Sequence, residues 1–458
     1  MTFDPTIAAT RFGIGLSPVI EPLWSIGEII DRLAGPDTVA ERLPILGFEA
    51  TSPSLLHIVQ TNAARRDAVG TPQEEATRQA AQQNGRDQTA VMRRNMLTTL
   101  ARAVVSPDGM RERLTAFWAD HFTVIARSGP YRHMVTPYVA DAIRPHVAGR
   151  FADMVKAVVG HPMMLTYLEQ SRSLGPRSPA GLKGDRGLNE NLGRELLELH
   201  LVGAQGGYDQ TDVTEMAELL TGLTYAPTEG VTYKANRAEP GAEVVMGRRY
   251  GAAASMETVE AALDDLARRP ETAAHIAHKL AVHFVSDTPD ADLVAALTRS
   301  FFDTGGDLLA VTGTLLDHPA AWTAERSKVR QPFVFVAASL RALAVRADRI
   351  MALSQQDVTR HLTRPLELMG QPWEKPVGPD GWAESATAWI TPQALAGRIT
   401  WAMTSPAAFV DALPDPRAFV GTAVGPVAPP ELTFAAAAAE SLSDGVGLVL
   451  TSPAFQRI

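Results

Sequence analysis

The residues best suited to chemistry in this chain are polar groups that fall on apolar helix faces. The segment RERLTAFWADHFTVIA predicts a helix with a wide apolar stripe, and His121 lies at the centre of that stripe. Because unpaired polar atoms are costly in an apolar environment, the ring nitrogens of this histidine need partners. His121 is therefore a candidate metal ligand or general base; the alternative is a core histidine bonded to a carbonyl or carboxylate group. Asp120 and Arg113 lie at the rim of the same stripe, on nearly the same side of the helix.

A second group of candidates lies in the segment NENLGRELLELH, residues 189–200. Glu190 and Arg194 are spaced four apart, as in an exposed ladder of ion pairs on a helix, so we interpret them as structural and keep Arg194 only as a weak catalytic candidate. Glu195 lies at the edge of the leucine stripe and His200 lies inside it. Both are predicted to need a partner, and Glu195 is the stronger candidate for a ligand or an acid–base group.

A third predicted helix, TAAHIAHKLAVHF, adds His283 beside its apolar stripe and Lys279 one turn earlier. These two are weaker candidates, for orienting a substrate, because a lysine at a stripe edge usually extends its ammonium group to water. No pair among the candidates has a diagnostic metal spacing such as E-x-x-H. The sequence still supports the hypothesis of a divalent metal held between helices by His121, Glu195, His200 and His283.

Two further features are open to a functional and a structural interpretation. The run KVRQP places Lys328 and Arg330 before a predicted helix, where they could bind an anion or simply be surface charge. A Pro- and Gly-rich excursion over 370–389 holds three tryptophans, which could line a ligand cleft or pin the loop to the helical body. They are Trp373, Trp382 and Trp389.

Composition excludes several classes of protein. The 458 residues are 45% hydrophobic and 20% charged with a formal net charge of −9, and no basic stripe offsets this balance, so nucleic acid is not an expected partner. The absence of cysteine excludes disulfides and thiolate ligands, and no zinc-protease, nucleophile-elbow or phosphate-loop motif occurs. No export signal is visible, and the longest apolar stretch, PFVFVAASLRALAV, is too short to span a bilayer. We therefore expect a soluble, cytoplasmic protein.

Helical periodicity dominates the chain and predicts an all-α fold. We expect one large multi-helical domain over 1–458, with a small β-hairpin excursion at about 231–250 that turns at Glu239-Pro240-Gly241, and long irregular loops. The polar segments at about 62–90 and 171–187 are predicted to be mobile. The strongest helices are expected at 86–105, 108–124, 133–147, 188–201, 210–222, 256–268, 271–285, 290–303, 306–316, 332–346 and 391–402.

Five sequence blocks, in this order, give the chain a family resemblance: FWADHF, NENLGRELLELHLVGAQGGYDQTDVTEMAELLTGLTY, KLAVHFVSD, MGQPW and SPAFQ. They resemble a bacterial family catalogued only as a domain of unknown function, number 1800, over about Arg11 to Arg457. The resemblance implies one domain and brings no activity. Many similar proteins look exported, often beside a second uncharacterised family that resembles sulfatases, which implies a protein partner of that kind. The position of His200 can be phenylalanine in similar proteins, which disfavours a catalytic role there.

Two hypotheses of function follow. The first is an enzyme with a buried histidine/carboxylate site between helices, metal-dependent and hydrolytic, in which His121 and Glu195 act directly and His283 or Lys279 orients the substrate. The second is a non-catalytic scaffold or partner-binding protein whose buried polar residues are structural. A tryptophan-rimmed cleft that reaches His121 favours the enzyme, whereas a closed core with a broad exposed apolar patch favours the scaffold.

Overall fold

Helices are the main regular structure of the chain, which confirms the predicted all-α class. The computed structural model describes residues 3–126, 129–184, 187–251, 254–426 and 428–458. The α-helices are α1 (Pro5–Arg11), α2 (Ile26–Ala34), α3 (Thr38–Arg42), α4 (Phe48–Asp67), α5 (Glu74–Val105), α6 (Gly109–His121), α7 (Val135–Tyr138), α8 (Phe151–Val159), α9 (Pro162–Tyr167), α10 (Asn191–Glu195), α11 (Gln210–Leu219), α12 (Met256–Ala267), α13 (Pro270–Phe284), α14 (Ala291–Asp303), α15 (Leu308–Asp317), α16 (Pro332–Ala342), α17 (Ala347–Met351), α18 (Gln355–Val358), α19 (Arg364–Leu368), α20 (Ala386–Trp389), α21 (Pro392–Thr404), α22 (Pro416–Val424), α23 (Pro430–Ala437), α24 (Leu442–Thr451) and α25 (Pro453–Gln456).

Short helical segments of other types extend or connect these helices. The π-helical segments are Val139–Ile143, Leu196–His200 and Thr359–Thr363. The 3-10 segments are Arg144–His146, Gln170–Arg172, Gly181–Lys183, Ala235–Arg237, Pro319–Trp322 and Pro406–Ala408. The sequence predicted one continuous helix over 188–201. In the structure, the end of that segment, Leu196–His200, is a π-helical turn directly after α10.

Local sequence signals explain where the two helices nearest the candidate residues begin. Helix α6 starts at Gly109 because the Asp108 side chain accepts a hydrogen bond from the backbone N–H of Arg111, which satisfies one of the free amides of the first turn. Helix α13 starts with Pro270 in its first turn, where the missing N–H of proline has no consequence. Both helices were expected at nearly these bounds.

The strands differ from the single hairpin that the sequence predicted. Strand β1 (Leu223–Ala226) pairs antiparallel with β2 (Gly230–Tyr233), and β3 (Val244–Val245) pairs antiparallel with β4 (Arg248–Arg249). The predicted turn at 239–241 lies between these two small sheets. The chain turns instead where glycines adopt positive φ, at Gly230 (φ 73°) and Gly247 (φ 79°), conformations that other residues rarely adopt.

The two segments expected to be mobile contain defined structure. Residues 62–67 end α4 and residues 74–90 belong to α5, so most of the first segment is helical. In the second segment, residues 185 and 186 lie outside the described residues, while Ser173 and Ser178 are buried. The mobility of both segments stays a prediction.

The buried apolar side chains form two clusters. One is built largely from α1, α2 and α6 to α15 and contains Trp118 and Tyr138. The other is built largely from α5 and α16 to α25 and contains Phe335 and Trp401. Helix α6 lies where the two clusters meet. In the part of the chain that the structure describes, no helix combines the length and the apolar character needed to cross a membrane.

Candidate functional site

His121 ends α6 with its ring enclosed by aromatic side chains. The rings of Trp118 and Phe122 lie at centroid distances of 5.4 and 4.5 Å. The Nε2–H group donates to the backbone oxygen of His200 at 3.0 Å, and Nδ1 has no partner among the described residues. Burial, with a smaller effect of nearby positive charge, lowers the pKa of His121 well below its ordinary value. The ring is therefore neutral, and its one hydrogen bond is the carbonyl contact expected of a core histidine.

His200 lies at the end of a π-helical segment, beside two other histidines. Its ring centroid is 5.9 Å from that of His121, which in turn is 6.2 Å from that of His275. His275 donates from Nε2 to the backbone oxygen of Leu199 at 2.9 Å. In the described part of the chain, neither ring nitrogen of His200 has a hydrogen-bond partner. Burial is the main reason that the pKa of His200 falls to about 3, and the positive charge of Lys279 adds to it.

An acid-induced loss of stability is expected from His200. Its pKa is about 3 in the folded state and near the ordinary value of 6.5 in the unfolded state. Between these two values the unfolded chain binds a proton that the folded chain does not, so the free energy of unfolding decreases as the pH falls. We expect His200 alone to account for a loss of about 2 kcal/mol between about pH 7.5 and about pH 5. Urea denaturation at both pH values measures this loss.

The matched variant for that measurement is His200→Phe, which fills the site with a ring that cannot be protonated. It should keep the fold and lose the part of the pH dependence due to His200, while the buried His121 continues to contribute. An unchanged pH dependence in His200→Phe would show that protonation of His200 does not limit acid stability.

Glu195 and Arg194 point to different surroundings. Arg194 pairs with Glu190 at 3.0 Å, the four-residue spacing that the sequence indicated, and also donates to Gln210 at 2.9 Å, which ties α10 to α11. Glu195 is half-buried, and its carboxylate makes no hydrogen bond to any residue that the structure describes. Burial raises its pKa, and the charge of Glu198 raises it further.

His283, near the end of α13, bridges a buried arginine and a carboxylate. Its Nδ1–H donates to Glu384 Oε1 at 2.6 Å, and Arg113 Nη2 donates to its Nε2 at 3.2 Å. Because an arginine can only donate, Nε2 carries no hydrogen and the ring is neutral; burial lowers the pKa of His283. Lys328 Nζ donates to the backbone oxygen of Glu384 at 2.6 Å. Burial raises the pKa of Glu384, but His283 and Lys328 outweigh it and hold this pKa at about 2.

Lys279 is half-buried on α13, one turn before His283. Within the described ranges, its ammonium group makes no hydrogen bond or ion pair. Burial lowers its pKa, and nearby carboxyl groups, among them Glu384, partly oppose that effect. Lys279 therefore contributes positive potential to this region without a direct contact.

The four predicted metal ligands are not brought together as one ligand set. Phe117 packs against both His121 and His283, at centroid distances of 6.2 and 5.1 Å, and both nitrogens of His283 are engaged. Among the residues with described positions, no group of three or more histidine, aspartate or glutamate side chains is arranged to hold a metal ion. The metal hypothesis therefore gains no support from these residues.

A pocket of about 210 Å³ lies beside α6, where the two hydrophobic clusters meet. Trp373 and Trp382, from the excursion over 370–389, form part of its wall. Helix α6 contributes Arg113 and Asp120, the two residues that the sequence placed at the rim of its apolar stripe. A tryptophan-lined pocket is thus present, but it reaches Asp120 and not His121, so it is not the cleft that the sequence hypothesis required.

Asp120 is held in the pocket by the loop that covers it. The backbone N–H of Trp382 donates to Asp120 Oδ1 at 2.8 Å. Burial raises the pKa of Asp120 to about 8, and the Trp382 hydrogen bond is the largest of the opposing effects. At neutral pH this carboxyl group therefore carries a proton that it can donate.

Glu374 supplies a second carboxyl group to the same pocket. The hydroxyl of Thr136, on α7, donates to Glu374 Oε1. The residue is partly exposed, but its carboxyl end is enclosed, and burial raises its pKa to about 7. Its backbone has φ 55°, in the left-handed region that residues other than glycine rarely occupy. Such strain is concentrated at functional positions, which makes Glu374 a candidate for function.

The sequence pattern does not indicate Glu374 or Glu384, because both lie in irregular backbone. Neither stands on a periodic stripe, and the pattern of apolar residues says nothing about side chains in such a loop. Asp120 and Arg113 were visible as two charges at a stripe rim, seven residues apart. That spacing, almost two helical turns, was the available signal that one pocket wall carries both.

Residues 8–457 of the chain match a family described as "Protein of unknown function (DUF1800)". The comparisons found no match among curated proteins and none among solved structures. The family match covers nearly the whole chain and confirms the resemblance carried by the five sequence blocks. The chain therefore belongs to this family of proteins of unknown function.

Proposed function

We propose that this chain is an enzyme that catalyses an acid–base reaction, most simply a hydrolysis, in the pocket between α6 and the excursion over 370–389. The observation that carries the proposal is that two carboxyl groups, Asp120 and Glu374, line one pocket and both have a pKa raised by burial to near neutrality. A general acid and a general base work best when their pKa values lie close to the working pH.

We take the roles of the two residues from the order of their pKa values. Glu374, with a pKa of about 7, is about half ionised at neutral pH and serves as the base. Asp120, with a pKa of about 8, is mostly protonated and serves as the acid. This pair takes the roles that the sequence pattern suggested for Glu195 and His121, which do not line the pocket.

The covering loop is built to approach Asp120 closely. Gly381 has φ 78°, and a Cβ atom at that position would lie 2.5 Å from Asp120 Oδ1, so only glycine fits there. Glu374 also has a positive φ. Such strain at a residue other than glycine is typical of a functional site, and it supports a role of this loop in the pocket.

The proposal is tested by incubating the purified chain with a small-molecule extract of cells and following metabolites by mass spectrometry. The matched protein is the double variant Asp120→Asn, Glu374→Gln, which keeps the size of both side chains. We expect at least one metabolite to be consumed by the wild type and left intact by the variant. Equal consumption by both proteins would contradict the proposal, and no consumption by either would favour the non-catalytic scaffold.

A further inference from the structure

Arg113 is a buried cation with very few partners. Its residue is 4% exposed, and its guanidinium packs over the ring of Phe284 at 5.4 Å. In the described residues, the one hydrogen bond of this guanidinium goes to the neutral ring of His283, and its Nε has no partner at all. A guanidinium offers five donors, so most of its capacity is unused.

The carboxylate of Glu384, near Arg113, is bonded to other residues. Glu384 accepts from His283 at 2.6 Å, and its Oε2 lies 3.4 Å from Lys328 Nζ. Asp287 also pairs with Lys328, at 2.7 Å. Burial lowers the pKa of Arg113, and the nearby charge of Glu384 opposes that effect without a hydrogen bond to the guanidinium. Since a buried charge normally requires a bonded counter-charge, the described residues leave Arg113 without the bonded anion that its burial calls for.

Arg113, whose guanidinium has these unused donors, lies in the pocket wall. Arg113, Ala116 and Asp120 follow one face of α6 and line both the pocket of about 210 Å³ and a smaller cavity of about 30 Å³. His283 holds the guanidinium from the other side through Nε2, and Glu384 orients that histidine through Nδ1. The two hydrogen bonds that join Glu384, His283 and Arg113 therefore hold the arginine on the same pocket wall as Asp120, the proposed acid.

We infer that the substrate carries a carboxylate group on an apolar body, and that Arg113 binds this carboxylate in the pocket beside Asp120. The planar guanidinium matches a carboxylate with two parallel hydrogen bonds. This inference rests on the proposed function for the location of the reaction, and the binding that it names is measured separately.

The other pocket residues agree with such a ligand. Repulsion of an anion by the acidic groups that face it is weak, because burial keeps Asp120 mostly protonated and Glu374 about half protonated at neutral pH, and Glu112 is bonded to Arg144 at 2.6 Å. The apolar body would contact side chains that include Ala119, Val124, Val135, Phe333, Trp373 and Trp382. Apolar walls with a few oriented polar groups are typical of small-molecule sites.

The test uses benzoate and its neutral analogue benzamide as probes in isothermal titration calorimetry. We expect benzoate to bind the wild type in the millimolar range or tighter and benzamide to bind at least about tenfold more weakly. Arg113→Met should weaken benzoate binding by about tenfold to a hundredfold, while Arg113→Lys retains part of it. Circular dichroism checks the fold of both variants.

Lys279→Met is the matched control, because Lys279 is another poorly paired cation near Asp120 but does not line the pocket. Its benzoate affinity should stay close to that of the wild type. The inference is overturned if the wild type does not bind benzoate, if benzamide binds equally well, or if Arg113→Met binds benzoate as the wild type does.

The two proposals can fail separately. Asp120→Asn should still bind benzoate, because it leaves Arg113 in place. If that variant also keeps full turnover, the acid–base proposal fails while the carboxylate site stands. If Arg113→Met keeps benzoate binding while Asp120→Asn loses turnover, the acid–base proposal stands and the carboxylate site fails.

Discussion

Replacing Asp120 by asparagine is expected to lower kcat by about 10²–10⁴-fold, the usual contribution of a positioned general acid. The variant should fold normally, because burial raises the pKa of Asp120 to about 8 and the group is already mostly neutral at pH 7. The amide oxygen of asparagine can accept the backbone N–H of Trp382, which now donates to Oδ1 at 2.8 Å. Turnover of the metabolite found with the wild type measures the loss, and urea denaturation checks the fold.

The pH dependence of kcat/KM gives the same prediction a second readout. In the wild type, kcat/KM should fall above about pH 8, where Asp120 loses its proton, and below about pH 7, where Glu374 gains one. Asp120→Asn should lose the alkaline limb. Asp380→Asn, which changes an exposed carboxylate of the same loop that does not line the pocket, should keep both limbs and near-normal kcat. An alkaline limb that persists in Asp120→Asn would assign it to another group.

Replacing Arg144 by leucine is expected to cost about 3–5 kcal/mol of unfolding free energy. Arg144 is buried between two carboxylates, with Glu112 at 2.6 Å and Asp37 at 2.5 Å. Both carboxylates raise the pKa of this arginine against the opposing effect of its burial. Without Arg144, the carboxylate of Glu112 loses its counter-charge, and an unpaired buried charge is costly. Urea denaturation at pH 7 measures the change.

The matched control for Arg144→Leu is Arg78→Leu on the exposed part of α5. Arg78 also forms an ion pair, with Glu75 at 2.5 Å, but both side chains are more than half exposed, at 53% and 57%. Exposed pairs contribute about 0–1 kcal/mol, so this variant should unfold almost like the wild type. Equal losses in the two variants would show that burial does not determine the value of these ion pairs.

The sequence by itself determined the bounds of α6 and of α11 to α16 closely, and which side of α6 is buried, whereas residues 74–90 of α5 were expected to be mobile. Apolar periodicity records contacts three, four and seven residues apart, and these are made within one element, so α6 was predicted with its apolar stripe, His121 inside it, and Arg113 and Asp120 at its rim. The charge ladder of Arg194 and Glu190 followed from the same spacing rule.

The tertiary structure decided which of these polar groups form a site. The hydrogen bond from Trp382 to Asp120 joins residues 262 positions apart, and no local pattern specifies which irregular loop covers which helix. His121 and Asp120 are adjacent in sequence, yet one faces packed aromatic rings and the other faces a pocket, because the partners on each side of α6 come from distant segments. The raised pKa values of Asp120 and Glu374 have the same origin, since burial is a property of the assembled fold.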